Sequence, residues 1–278
     1  MDRQGFLDFN MRLSPQNSRK ASSYAQAIRI LEEVLPHQNV VRLHGRSLYE
    51  ISDITTIERL IDLVLEEQAK MRRQEQNIFD YGKSSQRSYP KNNFCSAALK
   101  SLKAYAEYEQ DLEADKIVAI ETNAQTVSRK LTTFFDIAKE GEDRVSLTKQ
   151  RRGQEYFRRM ILRNYGSRCA ITGIDIPQLL LASHIIPWAE KLHKQDRLNP
   201  SNGICLSALY DKAFDQGLIT ISPDDYTVCL SPVLREHETQ AYFDKHFGNI
   251  AGQKITMPTA YLPDRDFLAY HREHVFVQ

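Results

Sequence analysis

Cysteine is scarce in this chain of 278 residues and shows no paired spacing. The four cysteines, Cys95, Cys169, Cys205 and Cys229, are far apart and form no C-x-x-C motif. Zinc knuckles and disulfide frameworks both require paired or closely spaced cysteines, so this spacing argues against both classes. Unpaired cysteines are typical of a reducing compartment, and we expect a cytoplasmic protein.

Long apolar runs are also missing from the chain. No stretch of about 18 uninterrupted apolar residues is present to cross a membrane, and the N-terminal MDRQGFLDFN has no apolar secretory core. We therefore expect no membrane partner. Hydrophobic residues still make up 41% of the chain and aromatic residues 9%, which is enough for a folded core and argues against wholesale disorder.

The chain has almost no net charge, because 37 lysines and arginines oppose 36 aspartates and glutamates. Its charge distribution is more informative, since the segment from Arg144 to Arg168 contains eight basic residues and only one acid, Glu155. Such a segment suits a polyanion, because each basic side chain that neutralises a phosphate releases counterions. A solvated helix face is the alternative interpretation. The candidate DNA contacts are Arg151, Arg152, Arg158 and Arg159.

Two kinds of sequence pattern divide the chain near residue 140. Before it, residues 22–35 and 52–73 have apolar side chains at helical spacing behind possible serine or aspartate caps, and a further helix is predicted from Phe94. A short hairpin is predicted around residues 39–51 and a loop at 80–93. After it, a basic helix is followed by short β-like runs such as RCAITG, LLLASHIIPW and GLITIS. We predict an α+β protein, with a mostly helical domain at 1–140 and a second domain at 141–278.

One histidine interrupts an otherwise apolar run, LLLASHIIPW at residues 179–188. Taken alone, His184 would most often be a core histidine with a satisfied hydrogen bond. Downstream, Asn202 and Gly203 begin another apolar run, and Asp211 and Asp215 are four residues apart, so both carboxylates share one face of a helix. A strand with the histidine, a strand starting at the asparagine and a helix with two acids would together surround a small cavity.

The combination CAITG…ASHIIPWA…NPSNGICLSALYDKAFDQGLITI resembles the HNH endonuclease family. The resemblance covers roughly residues 150–230, and PDRDFLAYHREHVF is similar to the end of restriction-type members; residues 1–140 share no such likeness. The resemblance implies a ββα-metal fold, in which a hairpin and a helix hold one divalent ion. The second predicted domain, residues 141–278, would then be an HNH nuclease domain.

The positions in the motif imply roles for individual residues. His184 takes the place of the first His, the general base that removes a proton from water, and a histidine titrates near working pH. Asn202 takes the place of the Asn, which orients that histidine or helps to hold the metal site. Asp211 takes the place of the last His, a ligand of the divalent cation that polarises the scissile phosphate.

Two positions depart from the family pattern. Ser183 stands where the residue before the general base is often Asp or His and binds the metal, and Asp211 replaces a histidine. Both changes shift the ligand set toward hard oxygen donors, which favours Mg²⁺ or Mn²⁺ over Zn²⁺. Asp215 either supplies a second carboxylate to the metal or braces the helix.

The function that the resemblance implies is a metal-dependent endonuclease cleaving double-stranded DNA, in bacterial restriction or another defence system. One HNH site cuts one strand at a time, so a double-strand cut requires a homodimer or two visits. The alternative is a nucleic-acid-binding module whose HNH site is inactive. Ser183, a weaker metal ligand than Asp or His, is the feature that supports this alternative. Residues 1–140 would serve DNA recognition, regulation or the binding of a defence-system partner.

Overall fold

The computed structural model describes residues 1–14, 18–38, 43, 45–137 and 143–278. These residues form two compact units, Met1–Glu113 and Ala114–Gln278. None of the described helices is both long enough and apolar enough to cross a membrane.

The first unit is helical. Its helices are α1 (Arg3–Leu13), α2 (Ser18–Val34), α3 (Ile54–Arg72), α4 (Ser88–Lys91) and α5 (Phe94–Ile120), the last of which contains the division between the units. The Asp53 carboxylate caps α3 by accepting a hydrogen bond from the backbone of Thr56, as the sequence predicted. Ile28, Leu60 and Leu99 are fully buried in one core. Both periodic segments predicted as helices are therefore helical.

The connections of the first unit differ from the prediction. Residues 80–93, predicted as a loop, contain α4 and the short 3₁₀ turn Ser84–Gln86, because turn-forming residues also suit single helical turns. The hairpin predicted around residues 39–51 lies largely outside the described residues, since 39–42 and 44 are not described. At its end, Leu48–Glu50 forms a 3₁₀ turn.

The two units divide earlier than the boundary predicted between residues 140 and 141. That boundary itself lies outside the described residues. Residues 114–137 belong to the second unit because their apolar side chains, including Val127, Leu131 and Phe135, are buried in its core. The helical pattern continues across the division, so no change of period in the sequence marks it.

The second unit combines helices with two small sheets. Its elements are α6 (Ala124–Phe134), α7 (Arg144–Asn164), β1 (Leu180–His184), β2 (Gly203–Ser207), α8 (Ala208–Asp215), β3 (Ile219–Ile221), β4 (Val228–Leu230), α9 (Pro232–Arg235), α10 (Ala241–His246) and α11 (Arg265–His274). Strand β1 pairs with β2 and β3 with β4, both antiparallel. The predicted α+β class is confirmed.

The basic segment is helix α7. Asp143 caps its start by accepting hydrogen bonds from the backbone of Val145 and Ser146. The helix ends before Gly166, whose positive φ of 58° suits a glycine after a helix C-terminus. Its apolar face, which includes Phe157 and Ile161, is buried in the core of the second unit.

One predicted β-like run is a turn. In RCAITG, the backbone N–H of Cys169 donates to the carbonyl of Ile174, and that of Gly173 donates to the carbonyl of Cys169. Gly173 has a φ of 72°, a left-handed conformation that favours glycine. The apolar residues of this run therefore enter the core from a tight turn, which a short run cannot distinguish from a strand.

Candidate active site

A hairpin and the helix that follows it place the predicted site residues. Strands β1 and β2 pair with His184 opposite Gly203 and Leu180 opposite Ser207, and α8 begins directly after β2. His184 is the last residue of β1, Asn202 immediately precedes β2, and Asp211 lies on α8. The ββα order that the sequence predicted is therefore present.

The His184 ring is half-buried and fixed by three neighbours. Its Nε2 lies 3.0 Å from the carbonyl oxygen of Arg197. Its face stacks on Phe157 of α7, with ring centroids 3.9 Å apart and planes 14° apart, and Trp188 meets it edge-on at 5.5 Å. A carbonyl only accepts hydrogen bonds, so Nε2 carries the proton and Nδ1 of the neutral ring retains its lone pair.

The surroundings keep this imidazole neutral. Burial lowers the pKa of His184 from its usual 6.5 to about 4, and the positive charge of Arg197 acts in the same direction. The hydrogen bond to the Arg197 carbonyl opposes this shift without cancelling it. The ring is therefore in its proton-accepting form throughout the neutral pH range.

Asn202 binds backbone rather than the His184 ring. Its side-chain oxygen accepts from the backbone N–H of Ile186 at 2.8 Å, and its amide nitrogen donates to the carbonyls of Ile186 and Asp196. The residue is almost fully buried, with 1% of its surface exposed. Asn202 thus ties the segment after His184 to the loop that carries Arg197, and both segments determine where the His184 ring lies.

Ser183 and Asp211 are in direct contact. The Ser183 hydroxyl donates a 2.6 Å hydrogen bond to Oδ1 of Asp211, connecting β1 to α8. Successive side chains of a strand point to opposite faces, and the neighbouring His184 contacts Phe157 of α7 instead. The structure therefore brings Ser183 and Asp211 together on one side of β1 and sets the His184 ring against the other helix.

Asp215 follows Asp211 by one helical turn, at the exposed end of α8. The pKa of Asp215 is raised, first by partial loss of hydration and second by the negative charge of Asp211. Two carboxylates that repel each other in this way are a suitable site for a cation, which would relieve the repulsion. Both carboxylates lie on α8, the helix that Ser183 contacts through Asp211.

The donor set fits a hard divalent cation. Ser183, Asp211 and Asp215 offer only oxygen, and Mg²⁺ commonly binds one or two carboxylates while keeping several water ligands. Among the described residues, no three His, Cys, Asp or Glu side chains are grouped so that they could hold a metal ion.

The four predicted DNA-binding arginines of α7 have different environments. Arg151 is exposed, and Arg159 is exposed beside the Tyr156 ring, at 5.5 Å from its centroid. Arg158 is exposed but donates hydrogen bonds to the carbonyls of Pro177 and Leu180 at 3.1 and 2.8 Å. Arg158 therefore fastens α7 to the start of β1.

The prediction for Arg152 does not fit its position. Only 7% of its surface is exposed, its guanidinium pairs with Glu155 at 3.0 Å, and it lies 6.0 Å from the centroid of the Phe135 ring. A guanidinium held inside the protein in this way is not available to a phosphate. The number of basic residues in a segment does not show which of them are buried. Helical spacing, which that count ignores, places Arg152 beside the buried face of α7.

Two residues that shape the site were not predicted from the sequence. Arg197 supplies the carbonyl that fixes the His184 tautomer, and Phe157 supplies the face on which the ring stacks. Phe157 was identifiable as a core residue of α7 from its helical spacing. Its pairing with His184 depends on how α7 packs against β1, and no local signal reports that contact.

Comparison with protein families shows what the segment containing this site is similar to. The model of the HNH endonuclease family matches residues 169–222, the segment that contains β1, β2, α8 and β3. The resemblance inferred from the sequence is thereby confirmed over residues 169–222, and the match indicates nuclease activity on a nucleic-acid substrate. No curated protein matches the chain.

Proposed function

We propose that this protein is a metal-dependent endonuclease that hydrolyses phosphodiester bonds of double-stranded DNA, with His184 as the general base. The observation that carries the proposal is the state of the His184 ring. Its Nε2–H is engaged by the Arg197 carbonyl, so the lone pair is on Nδ1, and the ring lies at the end of β1 in the segment that matches HNH endonucleases.

In this reaction His184 moves one proton. Nδ1 takes it from the water molecule whose oxygen attacks phosphorus, and the bond from phosphorus to the leaving oxygen then breaks. The Arg197 carbonyl holds the ring through Nε2 and stabilises the positive charge that protonation creates. Asn202 contributes by fixing the backbone on both sides of this contact.

Asp211 and Asp215 would hold the divalent cation, Mg²⁺ or Mn²⁺, with Ser183 beside them. When bound, the cation supplies positive charge that polarises the scissile phosphate and stabilises the leaving oxygen. The Ser183 hydroxyl donates to Oδ1 of Asp211, which orients the carboxylate and leaves its other oxygen available for binding. Asp215 has the adjacent carboxylate one turn along α8.

Arg151 and Arg159 would bind the DNA backbone. Both are exposed on the helix that precedes the site in sequence, and Arg158 would supplement them with the part of its guanidinium not engaged by backbone carbonyls. A biological role in bacterial restriction or another defence system agrees with such an activity. Residues 1–140 would then provide DNA recognition, regulation or binding of a defence-system partner, and a homodimer would allow both strands to be cut.

The activity is tested with supercoiled plasmid incubated with the purified protein and Mg²⁺ or Mn²⁺. We expect conversion to nicked or linear DNA, loss of the reaction in EDTA, and recovery when Mg²⁺ is added in excess. Asp211→Asn and His184→Ala variants provide matched controls, because a contaminating nuclease would remain in both preparations. Equal cleavage by all three proteins would contradict the proposal.

A second candidate is a nucleic-acid-binding module without catalysis. It is favoured by the sparse donor set, in which a serine stands beside two carboxylates and no third acid or histidine joins them in the described part of the chain. Plasmid binding in a gel-shift assay without any nicking in Mg²⁺ or Mn²⁺ would support this candidate over the nuclease.

A further inference from the structure

An aromatic residue outside the matched HNH segment contacts the proposed base. Phe157 lies on α7, 1% exposed, and its ring is nearly parallel to that of His184 at a centroid distance of 3.9 Å. The family match begins only at residue 169. The motif therefore supplies the histidine, and a helix before the motif supplies the surface on which it rests.

The absence of a side chain at Gly203 makes this stacking possible. Gly203 is the partner of His184 across the hairpin, and directly paired residues project to the same face. A Cβ built at Gly203 would lie 2.7 Å from Cζ of Phe157 and 2.5 Å from Cδ1 of Ile161. Both neighbours are buried, so neither could move away without displacing the core. Gly203 therefore leaves the space that the Phe157 ring occupies.

The stacking restrains a motion that the other contacts permit. The covalent bond to Cβ and the hydrogen bond from Nε2 to the Arg197 carbonyl hold the imidazole at two points, and the ring can still turn about the line that joins them. Arg197 is itself fixed, because its Nε donates to the carbonyl of Trp188 at 2.8 Å. A flat, buried face parallel to the imidazole determines the plane of the ring, and thus the direction of the Nδ1 lone pair.

We infer that Phe157 is a positioning residue for His184, and that Gly203 is required because it leaves room for Phe157. The catalytic consequence rests on the proposed nuclease function. A displacement of about 1 Å in a reacting group can reduce a rate by about 100-fold. We therefore expect Phe157→Leu, which keeps an apolar side chain but removes the flat face, to reduce the nicking rate by about 10- to 100-fold.

The experiment compares Phe157→Leu with Phe243→Leu. Phe243 is a buried phenylalanine of the same core, on α10, so its replacement is the same chemical change away from the hairpin. Three quantities are measured for each full-length variant: the nicking rate at saturating plasmid and Mg²⁺, the Kd for DNA in Ca²⁺, and the imidazole ¹⁵N chemical shifts of His184, assigned with His184→Ala. Phe157→Met, whose flexible side chain adapts to an irregular gap, is the second variant if the leucine protein does not fold.

For the wild type we expect the ¹⁵N shifts of a single Nε2–H tautomer. In Phe157→Leu or Phe157→Met the Nε2–H tautomer should be retained, because the Arg197 contact remains, but the ring should sample several planes, so that the His184 ¹⁵N resonances shift and broaden, with slower nicking and a Kd within twofold of wild type. Gly203→Ala should change the His184 shifts in the same direction, and Phe243→Leu should leave them and the rate unchanged. Wild-type shifts in the Phe157 variants, or equal slowing by Phe243→Leu, would overturn the inference. If the wild type does not nick plasmid, the proposed function fails, and the ¹⁵N shifts still decide whether Phe157 positions the ring.

Discussion

Acid should destabilise the second unit through a histidine that takes no part in the proposed reaction. His271, on α11, is 1% exposed and stacks on Phe214, with ring centroids 3.8 Å apart. Its Nε2–H donates to the carbonyl of Phe214, so its Nδ1 accepts from the hydroxyl of Thr220 at 2.9 Å. Both nitrogens are therefore used by the neutral ring, and a proton on Nδ1 would reverse the Thr220 hydrogen bond and place a positive charge in a buried site.

The magnitude follows from the two pKa values. Burial lowers the pKa of His271 from 6.5 to about 4 in the folded protein, so the unfolded chain binds more protons between these values. Stability from this residue is fully present above pH 6.5 and is lost as the pH falls toward 4. The full shift corresponds to about 3 kcal/mol, and the part lost between pH 7 and pH 5 is about 2 kcal/mol.

The perturbation is His271→Gln, which retains a donor and an acceptor but does not titrate. The free energy of unfolding is measured in urea at pH 7 and pH 5 from the fluorescence of Trp188, the one tryptophan of the sequence, which reports on the second unit. Wild type should lose about 2 kcal/mol more than the variant over this range, because His184 titrates in both proteins and cancels in the difference. Equal losses in the two proteins would refute the reasoning.

Three further predictions concern the proposed site. His184→Ala should reduce nicking by about 10²–10⁴-fold while DNA binding and the circular dichroism spectrum remain unchanged; wild-type nicking by the folded variant would exclude this base. Asp211→Asn should weaken Mg²⁺ binding in calorimetry, because it removes a charged ligand, and an unchanged affinity would remove Asp211 from the metal site. Replacing Arg151 and Arg159 with Ala should lower the magnitude of the slope of log K against log salt for DNA binding by about 2. The control, Arg152→Ala, should lower stability without changing that slope. Equal slopes in the wild type, the double variant and the control would make α7 a solvated face.

The elements of the fold were predictable where local signals agree. Helix α3 has an aspartate cap and an apolar stripe over five turns, and α7 has both an aspartate cap and a glycine after its end. The hairpin was predictable because a charged segment separates the apolar run at 179–188 from the one that begins at Asn202 and Gly203. The division at Glu113 and Ala114 was not predictable, because it depends on which core buries the side chains after it.

The site was predictable in its order along the chain and less so in its contacts. Motif spacing places His184, Asn202 and Asp211 on consecutive elements because the hairpin and helix are local in sequence. The bonds of Asn202 to the backbone of Ile186 and Asp196 were not predictable, since an amide side chain serves many partners equally well. Arg152 differs, because its helical spacing to the buried Tyr156 already indicated a position beside the buried face of α7.

The alternation of side chains along β1 separates the two chemical tasks of the proposed site. Ser183 contacts Asp211 of α8, the proposed cation ligand, and His184 stacks on Phe157 of α7, where burial keeps the imidazole neutral. A cation close to the imidazole would oppose its protonation by Coulomb repulsion, so placing the ring against the opposite helix limits that opposition. Strand β1 thus places two adjacent residues in two different environments. Their adjacency in the sequence alone would have suggested that they lie in the same one.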